Sequence, residues 1–282
     1  MKVFKYLAIA LTFVIGLSAC DKIELTHPYD DVDGRTALFQ IFYFAPVKAV
    51  AANYIDSVYV NDVLYSSVNG SGQLVTYNGV PGGGVGRFFS AKPGDAKLRF
   101  MQGGKDVYER VITLKEGRQC IYVYDFEENP SIIELTPYEQ RPLPSPAEWD
   151  TDSVAYVRFV NFLYEDATTP YPGKLQYQWR RADQDTDTWQ NVGSPVAFGE
   201  ATAFETITIH KETFNSAGSQ RVYYRILTED GKVLQVLNAD SNGKIVDYSD
   251  WWNAAIGRAY THNFAGVRTA APVSAVRSWT VR

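Results

Sequence analysis

The sequence predicts an all-β protein built as two tandem β-sandwiches, and three observations carry that reading. Aromatic and β-branched residues come in short runs separated by Gly, Asn, Asp and Pro, and no segment sustains a helical apolar period. Ala96–Phe100 and Thr206–His210 alternate polar with apolar residues, as half-buried strands do. A set of motifs also recurs in fixed order, which points to duplication of a unit of roughly 110 to 130 residues. Ala37–Phe44 aligns with Ala155–Phe162, and Val58-Tyr59-Val60 falls on Gln176-Tyr177-Gln178. Pro93-Gly94 before Leu98-Arg99-Phe100 matches Ala217-Gly218 before Val222-Tyr223-Tyr224. Gly104-Lys105 answers Gly231-Lys232, and Gly117-Arg118 answers Gly257-Arg258.

In chain order, residues 1–19 come first. Lys2 and Lys5 precede an apolar run, Tyr6–Gly16, that is too short to span a bilayer. Small residues follow and lead into Cys20, the plan of a cleaved secretory signal. Leu17-Ser18-Ala19-Cys20 resembles the lipobox of bacterial lipoproteins. The resemblance implies cleavage before Cys20, diacylation of its thiol and acylation of the new N-terminus, palmitate being a typical chain. Such an anchor holds the protein to a membrane without any membrane-binding face. Residues 20–35 are acidic (Asp21, Glu24, Asp30, Asp31, Asp33) and read as a flexible tether. The same acidity resembles the surface-export signal of Bacteroidetes-type lipoproteins, which implies an outer-membrane, surface-exposed location; an ordinary solvated linker is the other reading.

Residues 36–136 form sandwich domain one, and residues 137–149 a stiff linker, because Pro137, Pro142, Pro144 and Pro146 cannot sit inside a sheet. Residues 150–268 form domain two. Its clearest hairpin is Arg221–Thr228 with Lys232–Leu237 around Glu229-Asp230-Gly231. Residues 269–282 read as a C-terminal tail. Tyr156–Phe162, a strand some nineteen residues later, a Pro-Gly before a strand and a Gly-led last strand resemble the domain of unknown function numbered four-three-nine-seven. That domain occurs in tandem in secreted and lipid-anchored bacterial proteins. The resemblance implies transthyretin- or immunoglobulin-like sandwiches at the cell surface and no catalytic residue. Gln40 and Tyr43 depart from its pattern, standing where Arg and Asn are expected.

The formal charge is −5, and loss of Lys2 and Lys5 with the leader makes it −7. An acidic chain of this kind argues against nucleic acid or an anionic lipid surface as the main partner. Cys120 alone remains after processing, so no intramolecular disulfide forms, and its apolar run reads as core. No catalytic set or cofactor motif emerges. His27 lies in the tether, His210 on a polar strand face, and His262 at the end of a strand, without metal-ligand spacing. Pro81–Gly86 lacks the Lys-Ser/Thr ending of a phosphate loop. Asp183, Asp185 and Asp187 alternate like calcium ligands, but Thr188 and Ser194 stand where that motif needs Gly and Glu.

The tryptophans are the sharper clue. Domain one has none, whereas Trp179, Trp189, Trp251 and Trp252 belong to domain two. Gly231 to Gly257 spans twice the distance from Gly104 to Gly117, so Asp250-Trp251-Trp252-Asn253 is expected in an insertion. Trp189 is expected in a second lengthened connection. Indole planes stack on sugar rings while Asp and Asn bond the hydroxyls, so Trp189, Trp251, Trp252, Asp250 and Asn253 are the candidate binding residues. Adjacent residues cannot share a strand face, so at least one of Trp251 and Trp252 is expected to be buried. The leading expectation is a lipid-anchored, non-catalytic envelope module that binds a polysaccharide or an envelope protein through domain two. Two other classes stay open: a fimbrillin-like pilus subunit processed at Arg35, and an envelope glycoside hydrolase with paired carboxylates.

Overall fold

Strand β1 (Ala37–Tyr43) is apolar on both of its faces, and that property organises the molecule. Phe39, Ile41 and Tyr43 enter one hydrophobic core, while Phe42, with Phe44 just beyond the strand, enters another. Successive side chains of a strand point to opposite sides, so such a strand must lie in a sheet covered on both faces. The computed structural model describes residues 36–69, 72–81, 85–135, 153–185, 187–210, 218–238 and 243–281. The expected signal peptide, Cys20, the tether and the proline-rich linker lie outside the described residues.

The first half contains two sheets. The inner one runs β10 (Ser131–Glu134), β9 (Gly117–Val123), β1 and β4 (Asn78–Val80), with β6 (Phe89–Ala91) also paired to β1. The outer one runs β3 (Val63–Ser67), β2 (Ser57–Val60), β7 (Gly94–Gln102) and β8 (Lys105–Leu114). Asn61 and Asp62 join β2 to β3 with positive φ of 50° and 63°, the backbone a two-residue hairpin needs. Alternate residues of both sheets, among them Ile41, Ile121, Val58, Leu98 and Phe100, close the first core.

The second half repeats this plan. Its inner sheet runs β14 (Glu205–Ile209), β11 (Ser153–Tyr164), β19 (Ala259–Val267) and β20 (Ala275–Val281), extended by β5 (Val85–Gly86) of the first half. Its outer sheet runs β13 (Gln190–Asn191), β12 (Gln176–Arg181), β15 (Ser219–Leu227) and β18 (Ser249–Ala255). The inner sheets share one unusual pairing: β1 lies parallel to β9, and β11 parallel to β19. The Gly117 N–H donates to the Thr36 carbonyl at 3.1 Å, and the Gly257 N–H to the Val154 carbonyl at 2.7 Å. The motifs that recur in the sequence therefore occupy equivalent strands.

Two placements differ from the sequence reading. Residues 275–281, read as part of a tail, form β20, which pairs with β19 as β10 pairs with β9. The residues that lengthen the second half are the hairpin of β16 (Gln235–Asn238) and β17 (Lys244–Asp247). Trp251 and Trp252 lie beyond that hairpin on β18, the counterpart of β8, so they belong to the shared framework. A length difference between two glycines reveals an insertion but not its position.

The inner sheets turn their remaining faces to each other. Phe42, Phe44, Tyr77, Cys120 and Tyr122 meet Val160, Phe162, Ala265 and Trp279 in a third core. Phe42 stacks on Tyr122 at 4.8 Å, and Trp279 meets Phe42 edge-on at 4.9 Å. Several polar groups in this seam are bonded, some of them across it, whereas among the described residues the Tyr77 hydroxyl has no hydrogen-bond partner. Tyr122 donates to Asn263 Oδ1 at 2.8 Å, and Tyr164 donates to the Tyr124 carbonyl at 2.9 Å. Arg158, 1% exposed, donates through Nε to Thr261 Oγ1 and through Nη1 to the Glu134 carbonyl. Four sheets are thus layered in sequence, and Gly34–Arg282 forms one compact unit. Cys120 is buried in the seam, and desolvation pushes its thiol pKa up.

Candidate functional site

The outer sheet of the second half has one face in the core and one in solvent. Strand alternation sorts its side chains. Tyr177 and Trp179 of β12 and Val222, Tyr224 and Ile226 of β15 point into the core. Gln178 and Arg180, then Arg221, Tyr223 and Arg225, point outward, as do Ser249, Trp251 and Asn253 of β18. Strand pairing sets them in rows: Arg180 opposite Tyr223 opposite Trp251, Gln178 opposite Arg225 opposite Ser249, and Arg221 opposite Asn253.

Aromatic rings and guanidinium groups interleave on this face. The Arg225 guanidinium lies 4.3 Å from the Trp189 ring centre, and Arg180 lies 5.3 Å from the same ring. Arg180 also lies 4.7 Å from the Tyr223 ring, and Arg221 lies 4.0 Å from that of Trp251. A cation over an aromatic face is attracted by the ring quadrupole, by about 0.5–1 kcal/mol at exposed sites. The ladder therefore fixes both partners in one geometry. Arg225 Nε donates to Gln178 Oε1 at 2.9 Å, and Gln178 in turn donates to Asn191 Oδ1. Among the described residues no ion pair within 4 Å engages Arg180, Arg221 or Arg225.

The structure divides the five candidate residues. Trp189, half-buried beside β13, and Trp251, 46% exposed, share the outer face with Asn253. Trp252 turns inward, meeting Tyr260 and His262 with ring centres 4.6 Å away in each case. Asp250 alternates to the same side but stays exposed: its carboxylate accepts from the Tyr224 hydroxyl at 3.4 Å and from the Trp251 N–H at 2.8 Å. Arg180, Arg221, Tyr223 and Arg225 were missed by the sequence reading. For the three on β15 the signal was the alternation Arg221-x-Tyr223-x-Arg225.

Beneath this sheet His262 is fully buried, and its Nδ1 is 2.9 Å from the Tyr177 hydroxyl. Desolvation lowers its pKa to about 3, so the ring is neutral. Asp183 of the acidic loop accepts from Arg181 Nε at 3.0 Å and from Gln220 Nε2 at 2.6 Å. Among the described residues no group of three or more His, Cys, Asp or Glu is placed to hold a metal ion. An open cleft of about 880 Å³ lies elsewhere, between Tyr171–Gly173 and the turn from β15 to β16. Of its charged lining, Lys232 is paired with Asp230 and Arg268 with Glu165, and Glu229 and Asp247 also line it. None of the outward-facing ladder residues lines it.

No protein-family model matches the chain, and no curated protein matches it. Solved structures with which it shares a β-rich likeness include the TIE protein of Bacillus anthracis, at 8% identity and a TM-score of 0.23, over 82% of this chain and 34% of that one. A leucine-rich repeat protein from Bacteroides thetaiotaomicron matches at 9% identity and a TM-score of 0.19, over 83% and 26%. The minor pilin of Streptococcus agalactiae matches at 9% identity and a TM-score of 0.23, over 84% and 98%. The chain spans about a third of the first of these and about a quarter of the second.

Proposed function

We propose that this chain is a non-catalytic, lipid-anchored protein of the bacterial cell envelope that binds a glycan through the outer sheet of its second half. The observation that carries the reading is the solvent-facing surface on which Tyr223 and Trp251 present aromatic rings from neighbouring strands, with Trp189 beside β13. Large aromatics in a sandwich ordinarily face its core. Rings held on the outside of a sheet offer apolar planes on which sugar rings stack, and Asn253 and Gln178 supply hydrogen bonds for hydroxyls. Cys120 and His262 are both buried in cores, which is compatible with a binding role. Lipidation at Cys20 and a place on the outer-membrane surface rest on the leader and tether.

Two measurements test this. Metabolic labelling with a palmitate analogue is expected to mark the wild type and not Cys20→Ser; equal labelling of both contradicts the anchor. Mature protein run through gels containing a panel of neutral and charged polysaccharides is expected to be retarded by at least one of them. Trp189→Ala/Trp251→Ala is expected to migrate freely in that gel. If no polysaccharide retards the wild type, glycan binding is lost.

A further inference from the structure

The ladder contains as many guanidinium groups as rings, and neutral sugar binding has no use for three of them. Arg180, Arg221 and Arg225 all point to solvent, each held against a ring at 4.0 to 5.3 Å. Stacking occupies the flat face of a guanidinium. Arg180 Nη1 donates to the Arg181 and Gln184 carbonyls and Arg225 Nε to Gln178, while among the described residues no hydrogen bond engages the Arg221 side chain, whose N–H edge is an open fork. That is the fork that matches a carboxylate or a sulfate. Arg221 and Arg225 stand four residues apart on β15, about 13 Å along the strand, with Arg180 between them on the neighbouring strand. This span exceeds a single sugar ring and suits a polymer. Carboxylates also limit the class. Asp187 lies close enough to Arg225 to interact with it, and the whole chain is net negative. Such surroundings disfavour a densely charged polyphosphate and leave room for a polymer whose charge is sparse.

We infer that this face takes an acidic polysaccharide of the uronate type, its rings on Trp189, Tyr223 and Trp251 and its carboxylates on Arg221 and Arg225. The inference rests on the glycan reading above and narrows it to one class of polymer. The experiment uses affinity electrophoresis of the mature protein in gels containing polygalacturonate, its full methyl ester, a neutral β-glucan or sheared DNA. Polygalacturonate is expected to retard the wild type, with retardation falling as salt rises, and the methyl ester at least tenfold less. Arg221→Gln is expected to weaken retardation about tenfold with the thermal midpoint unchanged, the loss of one charge-assisted contact. Arg221→Lys is expected to restore little of it, since an ammonium lacks the fork.

Equal retardation by the ester or the glucan overturns the acidic specificity while leaving glycan binding intact. Retardation by none of the polysaccharides ends both. Stronger retardation by DNA than by polygalacturonate overturns the uronate assignment in favour of a general polyanion surface. Unchanged retardation of Arg221→Gln/Arg225→Gln, folded as the wild type, removes the site from this face.

Discussion

Tyr122 of β9 donates its phenolic hydrogen bond to Asn263 Oδ1 of β19 at 2.8 Å, in the buried seam between the two inner sheets. The two residues are 141 positions apart in the chain, so this bond forms only when the halves pack face to face. Tyr122→Phe keeps the ring stacked on Phe42 and leaves Asn263 Oδ1 without its donor. A buried acceptor left unpaired costs about 1–3 kcal/mol. Urea unfolding is expected to show a loss of that size with an unchanged slope. A loss under about 0.5 kcal/mol would mean that the seam is wet.

Arg158 sits in the same seam, 1% exposed, with a hydroxyl, a carbonyl and the Phe204 ring as partners. Among the described residues no carboxylate pairs with it within 4 Å. Burying an unpaired charge is costly, so its aliphatic stem and ring contact supply much of its net value. Arg158→Met, which fills the volume without the charge, is expected to fall within about 1.5 kcal/mol of the wild type. Arg158→Ala, which opens a cavity, is expected to cost about 3 kcal/mol. Equal losses in the two variants would show that the charge itself holds the seam together.

His262 gives the protein an acid-sensitive term. Its pKa is about 3 in the fold and about 6.5 in an unfolded chain. Between those values the unfolded state binds the proton and the folded state does not, so stability is complete above pH 6.5 and declines as pH falls. The decline is about 1.4 kcal/mol per pH unit while it lasts. The stability difference between wild type and His262→Gln, followed by chemical denaturation from pH 7 to pH 4, is expected to shrink toward acid. A constant difference would show that the imidazole is not buried neutral.

Much of this architecture was legible in the chain. Apart from Gln40, Arg158 and Asn161, Ala37–Phe44 and Ala155–Phe162 are apolar at consecutive positions, which marks strands covered on both sides. Such a run does not say what covers the second face, so the β-rich class was readable and the back-to-back packing of the inner sheets was not. Ala275–Val281 reads as a tail because only Trp279 and Val281 of its seven residues are buried. The indoles pointed to domain two, though to insertions rather than to a strand of its outer sheet, and alternation implied that Trp251 and Trp252 part without saying which is buried. The arginines stayed hidden because a lone Arg in a sequence reads as a solvated side chain. Only strand register shows that Arg180, Tyr223 and Trp251 stand in one row.

Adjacent residues on β18 offer the most direct test that the outer sheet is a binding face. Trp251 is 46% exposed with Arg221 against it, whereas Trp252 packs between Tyr260 and His262. Trp251→Ala is expected to change stability by no more than about 1 kcal/mol and to abolish polysaccharide retardation. Trp252→Ala is expected to cost about 3–5 kcal/mol, and the fraction that stays folded is expected to bind as the wild type does. Wild-type binding by a folded Trp251→Ala protein would contradict the account.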